Sequence, residues 1–490
     1  QRQMCIRDRY YGVNEFAGTL TAYGGGGHQR GGAGTIYLRK NGTAFGQLRA
    51  HNGGAWGNYT PLSTPEPFQL TLTGMAYVYP AEPLTVRDLT IETNATLTHL
   101  TGQARCEVTV LNNALIAEGG SLSADGRGYP IAGDRGPGAG TQVDWSGSGA
   151  GHGGTGGKTL PGAVGGAPYG SITEPLEPGS AGGSGSGGPG GAGGGVIRLN
   201  VANRLTIDGR VSANGLPGLN DNSGGGAGGS IYITAGRLEG KGQILADGGN
   251  GEWIDGGGGA GGRIALHIGT LAFAGEVFAR GGGGHQRGGP GSIYRATPGQ
   301  PGGELVLDNG GKAGALSPFE VPAQTRLILS GGANFYPTGP LNLVRLELRP
   351  GATLTHVTGQ PGLHLTVEQD LVVAAGAAIN VDGRGYPLGD DPGPGAGANG
   401  PVCGSGGAYG GHGGVAWPGD VPGGLGYGSI LEPTDLGSSG GGSSSSPTRE
   451  RSPGGGAVRL IVGGTLQVDG MLSANGTTCL LYTSPSPRDS

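Results

Sequence analysis

The chain has 490 residues, 118 of them glycine, and 30 Lys and Arg against 35 Asp and Glu give a formal charge of −5. No basic run occurs, which excludes a nucleic-acid-binding stripe, and no apolar run reaches membrane-spanning length. Of four cysteines, Cys5 and Cys479 lie in the tails and Cys106 and Cys403 hold non-equivalent positions, so neither a disulfide framework nor a zinc site is expected.

In chain order, residues 1–9 and 478–490 fall outside the glycine-rich register beside them and read as adapter-like artefacts. Between them the chain uses one long unit almost twice. Copy one covers 10–272 and copy two 273–477, the second truncated, which implies a longer natural protein. The stretch FAGTLTAYGGGGHQRGG from Phe16 returns as FAGEVFARGGGGHQRGG from Phe273, an offset of 257 residues. LTHLTGQ at Leu97 returns as LTHVTGQ at Leu354, and DGRGYP at Asp125 returns at Asp382.

A shorter period lies inside the long one. Ser212-Ala-Asn-Gly, Leu245-Ala-Asp-Gly and Phe278-Ala-Arg-Gly fall 33 residues apart. Each is preceded by alternating segments such as Arg263–Ile268 and Phe273–Ala279, which predict two strands separated by Gly269-Thr270. Two strands cannot bury their own apolar face, and stacking on neighbours can. No helical stripe longer than two turns occurs, so almost no helix is expected. The fold predicted is all-β, a right-handed parallel β-helix or β-solenoid with glycine-rich loops; an array of β-sandwiches is the alternative, weakened by the scarcity of hairpin dipeptides.

The glycine-rich stretches carry a period of three, as in His152-Gly-Gly-Thr155-Gly-Gly-Lys158 and Tyr409-Gly-Gly-His412-Gly-Gly-Val415. Two glycines in three suit an extended polyglycine-II helix with three residues per turn. Because glycine loses the most entropy on ordering, such runs need backbone hydrogen bonds to other segments. Regular repetition favours this over a flexible linker.

For chemistry, DGRGYP has two readings. Asp125, Arg127 and Tyr129, and their counterparts Asp382, Arg384 and Tyr386, could converge on a polyol or calcium. Alternatively Asp-Gly makes a turn in which the arginine stacks on the tyrosine and pairs with the aspartate. Trp145, Tyr409 and Trp417 are further candidates for contact with a glycan or surface. His28 and His285 are read as loop tips, while His152 is matched with His412. No histidine pair has metal-ligand spacing, and the acidic residues are spread over both copies rather than gathered in one catalytic cluster. No metal site, catalytic residue or cofactor is therefore expected.

The pattern Gly-Gly-Ser-Ile-x-Ile followed by Leu-x-Gly and Ala-Asp-Gly-Gly resembles the glycine-rich repeats of large bacterial surface and adhesin-like proteins. The Gly-Gly-x runs are similar to the polyglycine-II bundles of glycine-rich antifreeze proteins and phage tail-tip adhesins. These resemblances, with low lysine and abundant Gly, Ser, Thr and Asn, imply an extracellular or cell-surface module that is structural or adhesive and not an enzyme. They imply glycans, a cell or particle surface and further repeats of the chain as partners. A binding module built by the glycine loops is the alternative, and a β-helix polysaccharide lyase or hydrolase the third.

Overall fold

Alternation of branched and small or polar residues dictates strands throughout. The computed structural model describes residues 6–13, 15–63, 66–252, 254–387, 392–417, 420–443 and 451–477, and these contain strands and no helix. Consequently no helix among them is long and apolar enough to cross a membrane. The chain forms two compact units, Gln1–Ser317 with Ile328–Asn334, and Pro318–Leu327 with Phe335–Ser490.

In the first unit, Val196–Ile207, Ser230–Gly240 and Arg263–Phe273 lie side by side in parallel. Their register brings like over like: Ile197, Ile231 and Ile264, then Leu199, Ile233 and Leu266, then Leu205, Leu238 and Leu271. All but Leu271 of these are buried. Short strands Arg210–Ser212, Gln243–Leu245 and Glu276–Phe278 follow and pair in a second parallel sheet, with Val211 beside Ile244 and Ile244 beside Val277. Side chains alternate between faces, so this register keeps one apolar column facing inward in each sheet.

The break between the two strands falls later than the sequence suggests. Arg263–Phe273 runs straight through Gly269-Thr270, because Thr270 keeps its partner Arg237, and the chain turns at Ala274-Gly275 instead. Nor are the sheets wholly parallel. Gly34–Lys40 folds back antiparallel on Gln47–His51, and Ser292–Ala296 does so on Glu304–Asp308. The sheets are thus mixed and parallel.

Earlier strands extend the same sheets by shorter steps. Leu89 pairs with Leu70, Ala114 with Leu89, and Leu205 with Ala114. Between the last two, residues 124–195 leave the sheets and return beside Cys106–Val110, where Ile197 pairs with Cys106. This excursion and the three glycine-rich arms at 213–229, 246–262 and 279–291 pack on each other. Hydrogen bonds pass from leg to leg: Gly226 N–H donates to Leu216 O, Gly249 to Gly226, Gly259 to Gly249, and Gly282 to Gly259, all at 2.8 or 2.9 Å. The excursion joins through Gly157 N–H to Gly258 O (2.8 Å) and Gly257 N–H to Gly147 O (3.0 Å). Interior backbone groups are thereby paired without helix or sheet, as burial requires.

In the second unit, Leu341–Leu348 pairs with Leu363–Val367 and Leu371–Val373, and these with Val458–Val462 and Leu466–Val468. The described residues between 381 and 457 form the corresponding excursion, held by bonds such as Gly413 N–H to Gly424 O (2.9 Å) and Gly424 N–H to Gly406 O (3.1 Å). The last strands expose Ile461, Leu466, Val468, Met471 and Leu472.

Candidate functional site

The DGRGYP motif stands where each excursion leaves the second sheet. Its Asp-Gly makes a turn in both units: Gly126 and Gly383 have φ of +63° and +65°, and Arg127 N–H reaches Ala124 O at 3.1 Å. The aspartate, however, faces the next strand. Asp125 accepts from Asn214 N–H (2.6 Å) and Ser212 Oγ–H (2.9 Å). Asn214 Oδ1 in turn accepts from Asp247 N–H, and Asp247 Oδ1 from Arg280 N–H, each at 2.7 Å. This ladder explains the Ala-Asp/Asn-Gly landmarks: alanine points inward and the polar side chain caps the backbone 33 residues on. Asp382 does the same for Asn475 N–H (2.5 Å) and Ser473 Oγ–H (2.6 Å). Replacing Asp125 with alanine is expected to lower stability by about 2 kcal/mol, and with asparagine by less, since an acceptor remains. Thermal unfolding of both variants checks this, and equal losses would contradict the acceptor role.

The three motif side chains do not converge. Arg127 turns away from Tyr129 and stacks on Tyr59, with its guanidinium carbon 5.4 Å from the ring centre. Its Nη2 donates to the hydroxyls of Tyr59 and, at 3.2 Å, Tyr77. The ion partner of Asp125 is Arg210, at 3.6 Å, rather than Arg127. Tyr129 is half-buried against Gly136, as Tyr386 is against Gly393. Both glycines have φ of +91°, a conformation open to glycine without strain. Arg384 is half-buried at the corresponding corner. Trp145 and Trp417 are exposed, at 49% and 80%, whereas Tyr409 is half-buried and packs edge-on against Tyr427 at 5.2 Å.

The histidines are placed in three distinct settings. His28 and His285 are exposed in loops whose arginines fold back: Arg30 donates to Gly24 O and Arg287 to Gly281 O. His99 is buried, bonding Leu100 O through Nδ1 (3.1 Å) and accepting Val196 N–H at Nε2 (3.3 Å). Burial first, and then the charge of Arg127, lower its pKa to about 4. His152 is also buried. Its Nδ1 bonds Gly228 O at 2.7 Å, its ring packs on Tyr169 at 4.7 Å, and burial followed by Arg263 lowers its pKa to about 3. The residue in its place in the second unit is Tyr409, on Tyr427, not His412, which is exposed. The shared His-Gly-Gly tripeptide misleads here, because the insertion in copy two falls after this position and not before it.

Aromatic residues that no sequence motif singles out surround Arg127. Tyr59 and Tyr77 lie 4.6 Å apart, Trp56 meets Tyr77 edge-on at 6.3 Å, and Tyr79 meets Tyr59 edge-on at 6.3 Å. Their one signal in the sequence is that copy two lacks three of them: Ala313, Leu316 and Asn334 stand at the positions of Trp56, Tyr59 and Tyr77. Elsewhere, an open groove of about 470 Å³ is lined by Tyr11, Leu38, Lys40, Phe45 and Arg87. Among the described residues no three His, Cys, Asp or Glu gather as a metal site would require. No protein-family model, curated protein or solved structure matches the chain.

Proposed function

We propose that the chain is a non-catalytic, extracellular structural and adhesive module of a larger surface protein. In this reading the stacked strands form a right-handed parallel β-solenoid, and the glycine-rich arms pack beside it as polyglycine-II-type helices. The observation that carries it is the repeated parallel register in steps of 33 residues. It sets Arg204 beside Arg237 and Arg237 beside Thr270, and Arg210 beside Gln243 and Gln243 beside Glu276, with each glycine arm hydrogen-bonded to the next. Such stacking yields a stiff element whose neighbours are further repeats of the same kind. Its other partners are glycans or a cell or particle surface.

The most recurrent polar residues support a mechanical role. Asp125, Asn214, Asp247 and Asp382 cap backbone groups, and His99 and His152 are neutral packing elements. Adhesive contact is left to exposed rings such as Trp145 and Trp417. Hydrogen–deuterium exchange read by mass spectrometry tests the reading. Strong protection is expected at 149–158 and 182–195, comparable to the long strands, with weaker protection at 407–415, where Gly410, Gly411 and Gly414 are exposed. Complete exchange through 149–158 would leave only strands with loose loops and defeat the packed-arm reading.

A further inference from the structure

The cluster around Arg127 has features that the fold does not need. Tyr77 and Tyr79 alternate out of the strand Tyr77–Pro80, whose Val78 and Pro80 point inward. Tyr59 precedes Thr60–Leu62, which pairs in parallel with that strand, so its ring falls beside Tyr77. Trp56 stands at the rim with 57% of its surface exposed. Since copy two has alanine, leucine and asparagine at three of these positions and keeps Arg384, the rings are not required by the corner itself. Trp56 is exposed and Tyr59, Tyr77 and Tyr79 are half-buried, and an aromatic cluster that opens to solvent and serves no core marks a contact surface.

The chemistry of the surface narrows its ligand. We propose that Trp56, Tyr59, Tyr77 and Tyr79, held by Arg127, form a binding platform for a pyranose polysaccharide. A pyranose ring has an apolar C–H face and a rim of hydroxyls. The exposed ring of Trp56 offers an apolar surface for the first, and the half-buried phenols with the guanidinium offer polar groups for the second. Arg127 donates to both tyrosine hydroxyls and Tyr77 also hydrogen-bonds Tyr59, so the guanidinium and the two phenols form one linked polar group beside Trp56. No leucine, isoleucine or valine belongs to the cluster, which disfavours an apolar protein partner. The motif's own carboxylate, Asp125, pairs with Arg210 and leaves Arg127 to the phenols, so the platform suits neutral or acidic sugars over a basic ligand. Stacking and the shared arginine fix the rings before binding, which reduces the ordering cost.

This deepens the adhesive reading by giving it a site and a ligand class, and it rests on that reading. The test is affinity electrophoresis of the full chain in gels containing laminarin, xylan, hydroxyethyl cellulose or alginate. At least one polysaccharide should retard the chain, with tryptophan fluorescence shifting to the blue. Trp56→Ala should weaken that binding about tenfold or more. Tyr59→Leu with Tyr77→Asn, the residues copy two carries, should do the same, and Ile430→Ala, an exposed position of the second unit to which no contact role is given, should leave it unchanged. Unaltered exchange protection of the strand Val196–Ile207 shows that the variants remain folded. Retardation by none of the four, or retardation indifferent to both platform variants, would overturn the proposal. So would self-association that Trp56→Ala abolishes without any polysaccharide binding, which would assign the rings to a second copy of the chain. The platform can fail while the packed arms stay protected, and the arms can fail while the platform binds, so the two results separate the two claims.

Discussion

Gly149→Ala is expected to open the glycine-rich array, with amide protection lost across 147–157, 224–226 and 257–259 together. Gly149 N–H donates to Gly157 O at 2.9 Å, and its own carbonyl accepts from Gly166 N–H at 2.9 Å. A methyl group there would collide with the carbonyl oxygen of Gly258. That oxygen belongs to backbone and cannot rotate away as a side chain would. Relief requires separating two segments whose hydrogen bonds offset the entropy that glycine loses on ordering. Overpacking of this kind costs about 1–3 kcal/mol, and more where backbone meets backbone. Gly411→Ala is the matched control, because nothing lies within 4 Å of its added methyl and the residue is exposed. It should change stability by no more than about 0.5 kcal/mol. Equal exchange in the two variants would mean that the arms are not packed.

The second large effect is a loss of stability in mild acid. His99 and His152 have folded pKa values of about 4 and about 3, below the ordinary 6.5, chiefly because burial disfavours the charged ring. A depressed histidine pKa means that the unfolded chain takes up a proton first as pH falls. Stability is therefore complete above 6.5, declines as pH drops below it, and stops declining near the folded values. At pH 5 each histidine should have removed about 2 kcal/mol from the first unit. The bonding explains the shift for His99. Its Nε2 accepts Val196 N–H, and a proton placed there would break that bond. His356, beside Gly456 in the second unit, is shifted the same way, again mainly by burial. Denaturant unfolding measured from pH 7 to 5 checks this above the range of ordinary carboxylates. His99→Gln should be less stable at pH 7 yet lose about 2 kcal/mol less between pH 7 and 5, while His152 and His51, the latter's pKa also lowered by burial and Arg49, keep the rest of the dependence. A flat profile over that range would contradict the buried, neutral histidines.

Much of the strand architecture is legible in the amino-acid sequence. Isoleucine, leucine and valine on alternate positions indicate strands, and the 33-residue landmarks mark equivalent places along them. The Asp-Gly turns fall where the motif puts them, at Gly126 and Gly383. The partners of the motif are not legible. Proximity in the chain suggests Tyr129, two residues away, for Arg127, which instead lies on Tyr59, from a strand pair far earlier in the chain. Matching His152 to His412 follows a tripeptide, whereas packing against Tyr169 and Tyr427 aligns His152 with Tyr409.

The difference has a physical origin. Alternation in a strand is local geometry: successive side chains point to opposite faces, so composition alone reveals which residues of Val196–Ile207 face the core. An Ala-Asp-Gly corner is similarly local. A glycine run, by contrast, has no side chains to indicate a neighbour. The pairing of Gly149 with Gly157, Gly166 and Gly258 arises only when the excursion returns to the sheets at Val196. The same long-range closure brings Arg127 to Tyr59 and Tyr77, and with it creates an aromatic surface that copy two lacks the residues to build.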